Sequence, residues 1–209
     1  VSATGEADMA TFIVDTAADV VDAADGVTSL REAVAAANAA AGADTITFDT
    51  AVFDPPAVAA ARTIVLRSGQ LEITGPGGLT IDGDLDDDGT ADVVINADHK
   101  SRVMEIAAAG AVTLDGLVVT HGAEVGYDRG RSGGGILSSS DLTLLNSIVA
   151  DNRVHPFERG ASASGGGIAS TGTLTLIGST VSGNEVSDGD YGRARGGGIS
   201  AIGVTLIDS

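Results

Sequence analysis

The chain has 209 residues, 43% of them hydrophobic, enough for one domain with a sizeable apolar core. Against 11 basic residues stand 29 acidic ones, a net charge of −18, so nucleic acid and anionic membrane surfaces are repelled and divalent cations are favoured company. Cysteine is absent, which excludes a disulfide framework and a thiolate metal site, and no run of about eighteen apolar residues offers a membrane-spanning helix.

Aromatic residues make up only 3%, so the core must be built from Val, Ile, Leu and Ala, and 30 glycines argue for many tight turns. The start at Val1, with neither Met nor a signal peptide, suits a processed or truncated chain. The first strong element is "TSLREAVAAANAAAG", 28–42. Ser29 and Glu32 form a capping box ahead of Leu30 and Val34, and Gly42 supplies a C-terminal stop. No other segment reads as helical. "ADTITFD", 43–49, reads as a strand. Residues 1–50 are thus expected to be a strand and helix that cap the open end of a repeat structure. A docking helix for a partner is the alternative.

Between the strands "LTID" and "VVIN" lies "DGDLDDDGTAD", 82–92. Asp84, Asp86, Asp88, Gly89 and Asp92 spell D-x-D-x-D-G-x-x-D, in which alternating aspartates turn several oxygens inward and the glycine permits the turn. Ca²⁺ takes six to eight hard oxygen ligands in loose geometry, so a structural Ca²⁺ on Asp84, Asp86, Asp88 and Asp92, with Asp82 as a further ligand, is expected. The loop is not a complete EF-hand, because Ile95 stands where the closing Glu belongs. The alternative is a solvated acidic turn.

From 112 onward the chain repeats itself. "SGGGILSSSDLTLLNSIVADN" at 132–152 returns as "SGGGIASTGTLTLIGSTVSGN" at 164–184 and again as "RGGGISAIGVTLIDS" at 195–209. Ile136, Ile168 and Ile199 are 32 and 31 residues apart, and "VTLDGLVVTHG" at 112–122 matches "LTLLNSIVADN" at an offset of 30. A fixed period of this size signals stacked units. Within each unit Leu142 and Leu144, Leu174 and Leu176, or Val204 and Leu206 flank a threonine, the period of two of a half-buried strand. Three such strands per rung, stacked about 4.8 Å apart, make an all-β, single-stranded parallel β-helix, right-handed by the rule for parallel crossovers. Its rungs are expected over 51–209. The glycine triplets bend the chain where a Cβ would meet the coil above, and Asn152 and Asn184 stack as an amide ladder. A β-sandwich is the alternative, but it does not require the same words at a fixed spacing.

Each unit inserts a lateral loop, "AEVGYDRGRS" (123–132), "RVHPFERGASAS" (153–164) and "EVSDGDYGRAR" (185–195). Tyr127, Phe157 and Tyr191 with Arg129, Arg159 and Arg193 would stack into a stripe on one face of the solenoid. The stripe reads either as a binding face for glycan or protein or as a structural arginine–aromatic ladder. Glu124, Arg153 and Glu185 head the loops with alternating sign, which suits pairing between rungs. Asp115, Asp141 and Asp151 sit at strand ends or corners where turn-forming Asp is ordinary. His99, His121 and His155 share no position in the repeat and read as surface residues. No nucleophile motif or phosphate cradle occurs. The last copy stops after "VTLIDS", so further rungs or a packed neighbour, including self-association, are expected at that end.

"TFIVDTAADVVDAADGVTSLREAVAAANAAAGADTITFD", with "SLREA" intact and Thr28 where the family's "CSLREA" phrase has Cys, resembles the N-terminal module of bacterial cell-surface β-helix proteins. The similarity continues through "TIVLRSGQLEITGPGGLTIDGD", 63–84. The "GGGI", "VADN" and "VSGN" words resemble the repeats of chlamydial polymorphic membrane proteins, with Val in place of Phe. The resemblance implies an exported, extracellular or outer-membrane-associated surface protein, adhesive or structural, that meets host or neighbouring-cell protein or glycan. It carries no catalytic set across. The alternative is a polysaccharide lyase or hydrolase of the pectate-lyase-like type, which needs converging carboxylates and a basic residue on an exposed sheet.

Overall fold

The computed structural model describes residues 9–54, 62–126, 131–156, 161–187 and 192–209, and they form a parallel β-helix of three walls. The first wall stacks Thr63–Val65, Val93–Asn96, Leu117–Thr120, Ile148–Ala150 and Thr180–Ser182. The second stacks Leu71–Ile73, Met104–Ile106, Ile136–Ser138 and the first residues of the long strands Ile168–Ile177 and Ile199–Ile207. The third runs from Thr11–Val14 through Asp44–Phe48, Leu79–Asp82, Val112–Asp115 and Leu142–Leu145 to the last residues of those two long strands. Every pairing is parallel and joins one rung to the next, so the β-sandwich is ruled out.

Alternation decides which face is buried. In Val112–Asp115 and Leu142–Leu145 the first and third residues point inward and the threonine between them outward. Met104, Ile136, Ile168 and Ile199 are register partners in turn, forming one interior column; the first three are fully buried. Each such aliphatic side chain withdrawn from water contributes about 1.5–3 kcal/mol, which compensates for the scarcity of aromatic packing.

Corners carry the repeat's other signal. Between the third wall and the first, Gly116, Asn146, Gly178 and Asp208 all have positive φ, from 48° to 59°. Between the first wall and the second, His99, His121, Asp151 and Gly183 do the same, from 53° to 63°. A Cβ on Gly134 would lie 2.3 Å from the Arg153 carbonyl oxygen and 2.5 Å from that of Gly166, so the triplet is glycine for want of space. The asparagine ladder forms as the sequence suggests. Asn152 Oδ1 accepts from the Gly122 amide (2.7 Å), and Asn184 Oδ1 accepts from the Asn152 amide and from Nδ2, both 3.0 Å. A serine ladder runs at the other end of the first wall: the amides of Leu117, Ser147 and Ser179 donate to Ser147, Ser179 and Ser209 Oγ at 3.0–3.1 Å.

The N-terminal end is closed by the helix Leu30–Ala39, which buries Leu30, Ala33, Val34 and Ala37. Its capping box is present, with Ser29 Oγ accepting from the Glu32 amide and Glu32 Oε2 accepting from the Ser29 amide. The stop comes two residues before Gly42, at Ala40, whose amide donates to the carbonyls of Ala36 and Ala37. A second, one-turn helix, Thr50–Phe53, follows a cap at Asp49 and drives Phe53 edge-on against Phe48, ring centroids 5.0 Å apart. Sequence periodicity could not show so short an element. At the other end, Ile199–Ile207 has one strand neighbour among the described residues and exposes Ile202 and Leu206.

Candidate functional site

The acidic loop is an excursion at the corner where the third wall turns into the first. Its ends are tied to the rung beneath: the Gly83 amide donates to Asp115 O (2.9 Å) and the Asp92 amide to Gly116 O (3.0 Å). Inside the loop, carboxylates cap backbone amides. Asp84 accepts from the amides of Asp88 (3.2 Å) and Gly89 (2.9 Å), and Asp88 Oδ1 accepts from the amide and hydroxyl of Thr90. This turns Asp84, Asp86 and Asp88 so that one carboxylate oxygen of each lies within 4.8 Å of the others.

The other two expected ligands stand apart. Asp92 is buried and ion-paired to Arg62, and its Oδ2 accepts from the Leu85 amide at 3.0 Å. Its role is to pin the loop to the body. Asp82 ends its strand, directly above Asp115 in register, with Oδ1 accepting from the Asp84 amide at 3.3 Å. Burial, then the charges of Asp84 and Asp87, pushes the Asp82 carboxyl above the usual range. Asp115 is raised for the same reasons, burial first, then Asp82 and Asp84, with the Gly116 amide and the Asn146 side chain only partly offsetting them. Its Oδ1 is buried without a hydrogen-bond partner among the described residues. A divalent cation relieves this kind of repulsion, and a buried acceptor of this kind suits one.

The described parts of the lateral insertions form strands. Ala123–Gly126, Arg153–Pro156 and Glu185–Val186 pair as one narrow parallel sheet, and Arg131–Ser132, Ser162–Ser164 and Arg193–Arg195 as another. Val154, Ala161 and Ala163 are buried outside the main core. The result is a fin standing on the corner that precedes the glycine triplets. Val125, Arg153, His155, Glu185 and Ser187 line a groove of about 380 Å³ on it, with His155 Nδ1 hydrogen-bonded to Ser187 Oγ. Arg193 is exposed and opposite Ser162. Tyr127, Arg129, Phe157, Arg159 and Tyr191 lie outside the described residues.

Register corrects two expectations. Arg153 and Glu185 are neighbours on successive rungs, but Glu124 sits opposite Val154, one residue out of step. Glu124 instead faces the buried guanidinium of Arg102 at 3.3 Å. Arg102 also donates to the carbonyls of Gly133 and Ser132 and to Gln70 and Glu105, fastening the fin to the second wall. The second correction concerns histidine. His99 and His121 do share a position: they stack on one corner, rings edge to face with centroids 4.9 Å apart.

Asp115, Asp141 and Asp151 occupy three different corners and do not converge. Asp141 Oδ1 accepts from the Thr173 amide at 2.9 Å, which holds that carboxyl below the usual range. Comparison of the chain with protein-family models, with curated proteins and with solved structures gives no match.

Proposed function

We propose that this chain is the rigid part of an exported, cell-surface or extracellular β-helix whose work is structural and adhesive. The observation that carries the reading is the fin. Three successive rungs give up the same corner to build a second, smaller two-sheet structure, which the solenoid core does not need for its own closure. Stacked insertions on one face of a solenoid are the usual place for binding. The groove on the fin offers both charge signs, a hydroxyl and an apolar patch, a lining suited to glycan or to a polar protein surface. The resemblance of "SLREA" and "GGGI" to surface β-helix proteins supports export.

The acidic corner fits Ca²⁺ in its donor set. Asp84, Asp86 and Asp88 would hold the ion, with Asp82 beside them and Asp92 retained by Arg62. Bound there, the cation supplies positive charge to carboxylates that Arg62, taken up by Asp54 and Asp92, does not reach, and stiffens the rung.

The test is retention of the intact chain on arrayed glycans and proteins, with chain length of acidic glycans followed in parallel, with and without EDTA. The expected outcome is binding that Arg153→Ala and Arg193→Ala weaken together by at least about tenfold, a loss of about 1.4 kcal/mol, with glycan length unchanged. Calcium-dependent shortening of an acidic glycan, abolished by Arg193→Ala, would replace this reading with the lyase or hydrolase.

A further inference from the structure

The corner between the first wall and the second needs a left-handed residue on every rung, and its later rungs use Asp151 and Gly183, residues suited to that conformation. The two rungs before these use histidine, and the first rung, after Thr63–Val65, has Gly69. His99 and His121 therefore lie one directly above the other, with the His99 amide donating to the His121 carbonyl oxygen at 2.7 Å. Nδ1 of His121 is hydrogen-bonded to Thr120 Oγ1 at 2.9 Å, which orients that ring and leaves Nε2 uncommitted. Nδ1 of His99 is buried and has no partner, and the ring makes no hydrogen bond among the described residues.

We propose that His99 and His121 form a binding site for a nitrogen-seeking divalent transition cation of the Zn²⁺ class. Two imidazoles in contact are a soft-to-borderline donor pair, unlike the all-oxygen corner around Asp84, which suits Ca²⁺. Asp98 and Asp151 supply negative charge on either side: Asp98 precedes His99, and Asp151 follows His121 on the next rung. Asp98 is itself paired to Lys100 at 2.7 Å, and Arg153 is a further opposing charge. Burial, then Arg153 and His121, holds the His99 imidazole below its usual value despite those two carboxylates. Thr120 acts as a positioning residue through its bond to the His121 ring.

Isothermal titration of the full chain with Zn²⁺, with Ca²⁺ in excess to occupy the acidic corner, tests the site. Asparagine tolerates a left-handed backbone, so His99→Asn and His121→Asn preserve the corner, and a melt without Zn²⁺ checks that they fold. Each is expected to weaken Zn²⁺ binding by at least about tenfold, and His155→Asn to leave it unchanged. Zn²⁺ should also shift the imidazole NMR resonances of His99 and His121 together and not those of His155. An isotherm without binding, affinity equal to the parent in both corner variants, or shifts confined to His155 would each overturn the proposal.

Discussion

The N-terminal cap and the acidic corner are both dense in aspartate, and they handle it in opposite ways. In the cap every buried carboxylate has a donor. Asp19 accepts from Arg31 Nε (2.7 Å) and Nη2 (3.1 Å) and from the amides of Arg67 (2.6 Å) and Ser68 (2.9 Å). Burial would raise its carboxyl, yet the Arg31 guanidinium and those amides override burial and hold it below the usual range. At the acidic corner Asp82 and Asp115 face each other and Asp84; Asp86 faces Asp84 and Asp88; and Arg62 is taken up by Asp54 and Asp92. The contrast teaches that net charge says little about where an acidic protein is strained. What matters is whether the donors to each carboxylate outweigh its carboxylate neighbours.

The sharpest way to break the comparison is at Asp19, which joins helix, strand and the turn at Arg67. Asp19→Ala leaves two amides and Arg31 Nε without their acceptor, and about 3 kcal/mol of stability is expected to go. A fall in the urea midpoint at unchanged slope would show it. Adding Ca²⁺ comes next and acts only on the other region. At about 100 times the dissociation constant it should stabilise by about 2.7 kcal/mol, a rise in melting temperature that Asp84→Asn removes and Asp19→Ala does not. An equal rise in the Asp84 variant would place the ion elsewhere. Ser29→Ala should cost about 1–2 kcal/mol, since Ser29 caps the helix and its hydroxyl also donates to Val20 O at 2.6 Å.

Legibility followed the same division between what is periodic and what is not. The walls were readable because Ile136, Ile168 and Ile199 recur at nearly the period of a rung, and a strand's face is set by alternation alone. The capping box and the asparagine ladder were readable because each is a local pattern or an equal spacing. His99 and His121 were not, being 22 residues apart in a repeat of about 30; the shorter rung between them carries no fin. The loop reads as four ligands with Asp82 as a further one, but the ion pair of Asp92 was not legible, because Arg62 lies a full rung away in sequence. The fin's strands were missed because short inserts with glycine, proline and charge read as loops until they stack. Ser147, Ser179 and Ser209 form a ladder whose spacing of 32 and 30 was open to view, and the repeat itself was the signal for it.

The smallest expected effect distinguishes the two regions by sign. Asp82 and Asp115 are raised in the fold, so the stability they contribute is present below the ordinary carboxylate range and is lost as pH climbs through their folded values. Asp19 is lowered, so its contribution is present above that range and is lost as pH falls through its folded value. Asp115→Asn keeps the shape of the side chain and deletes the charge beneath Asp82. In calcium-free buffer at neutral pH it should therefore stabilise, by less than about 1 kcal/mol for so partly exposed a group. That gain should fade on acidification, as the parent carboxyl takes up its proton, and on adding Ca²⁺, which offsets the same repulsion. Thermal melts of parent and variant at neutral and acidic pH, each with Ca²⁺ or EDTA, read all four cases. A variant uniformly less stable than the parent would mean that the donors to Asp115 outweigh its carboxylate neighbours, as those to Asp19 do, and the distinction between the two regions would fall.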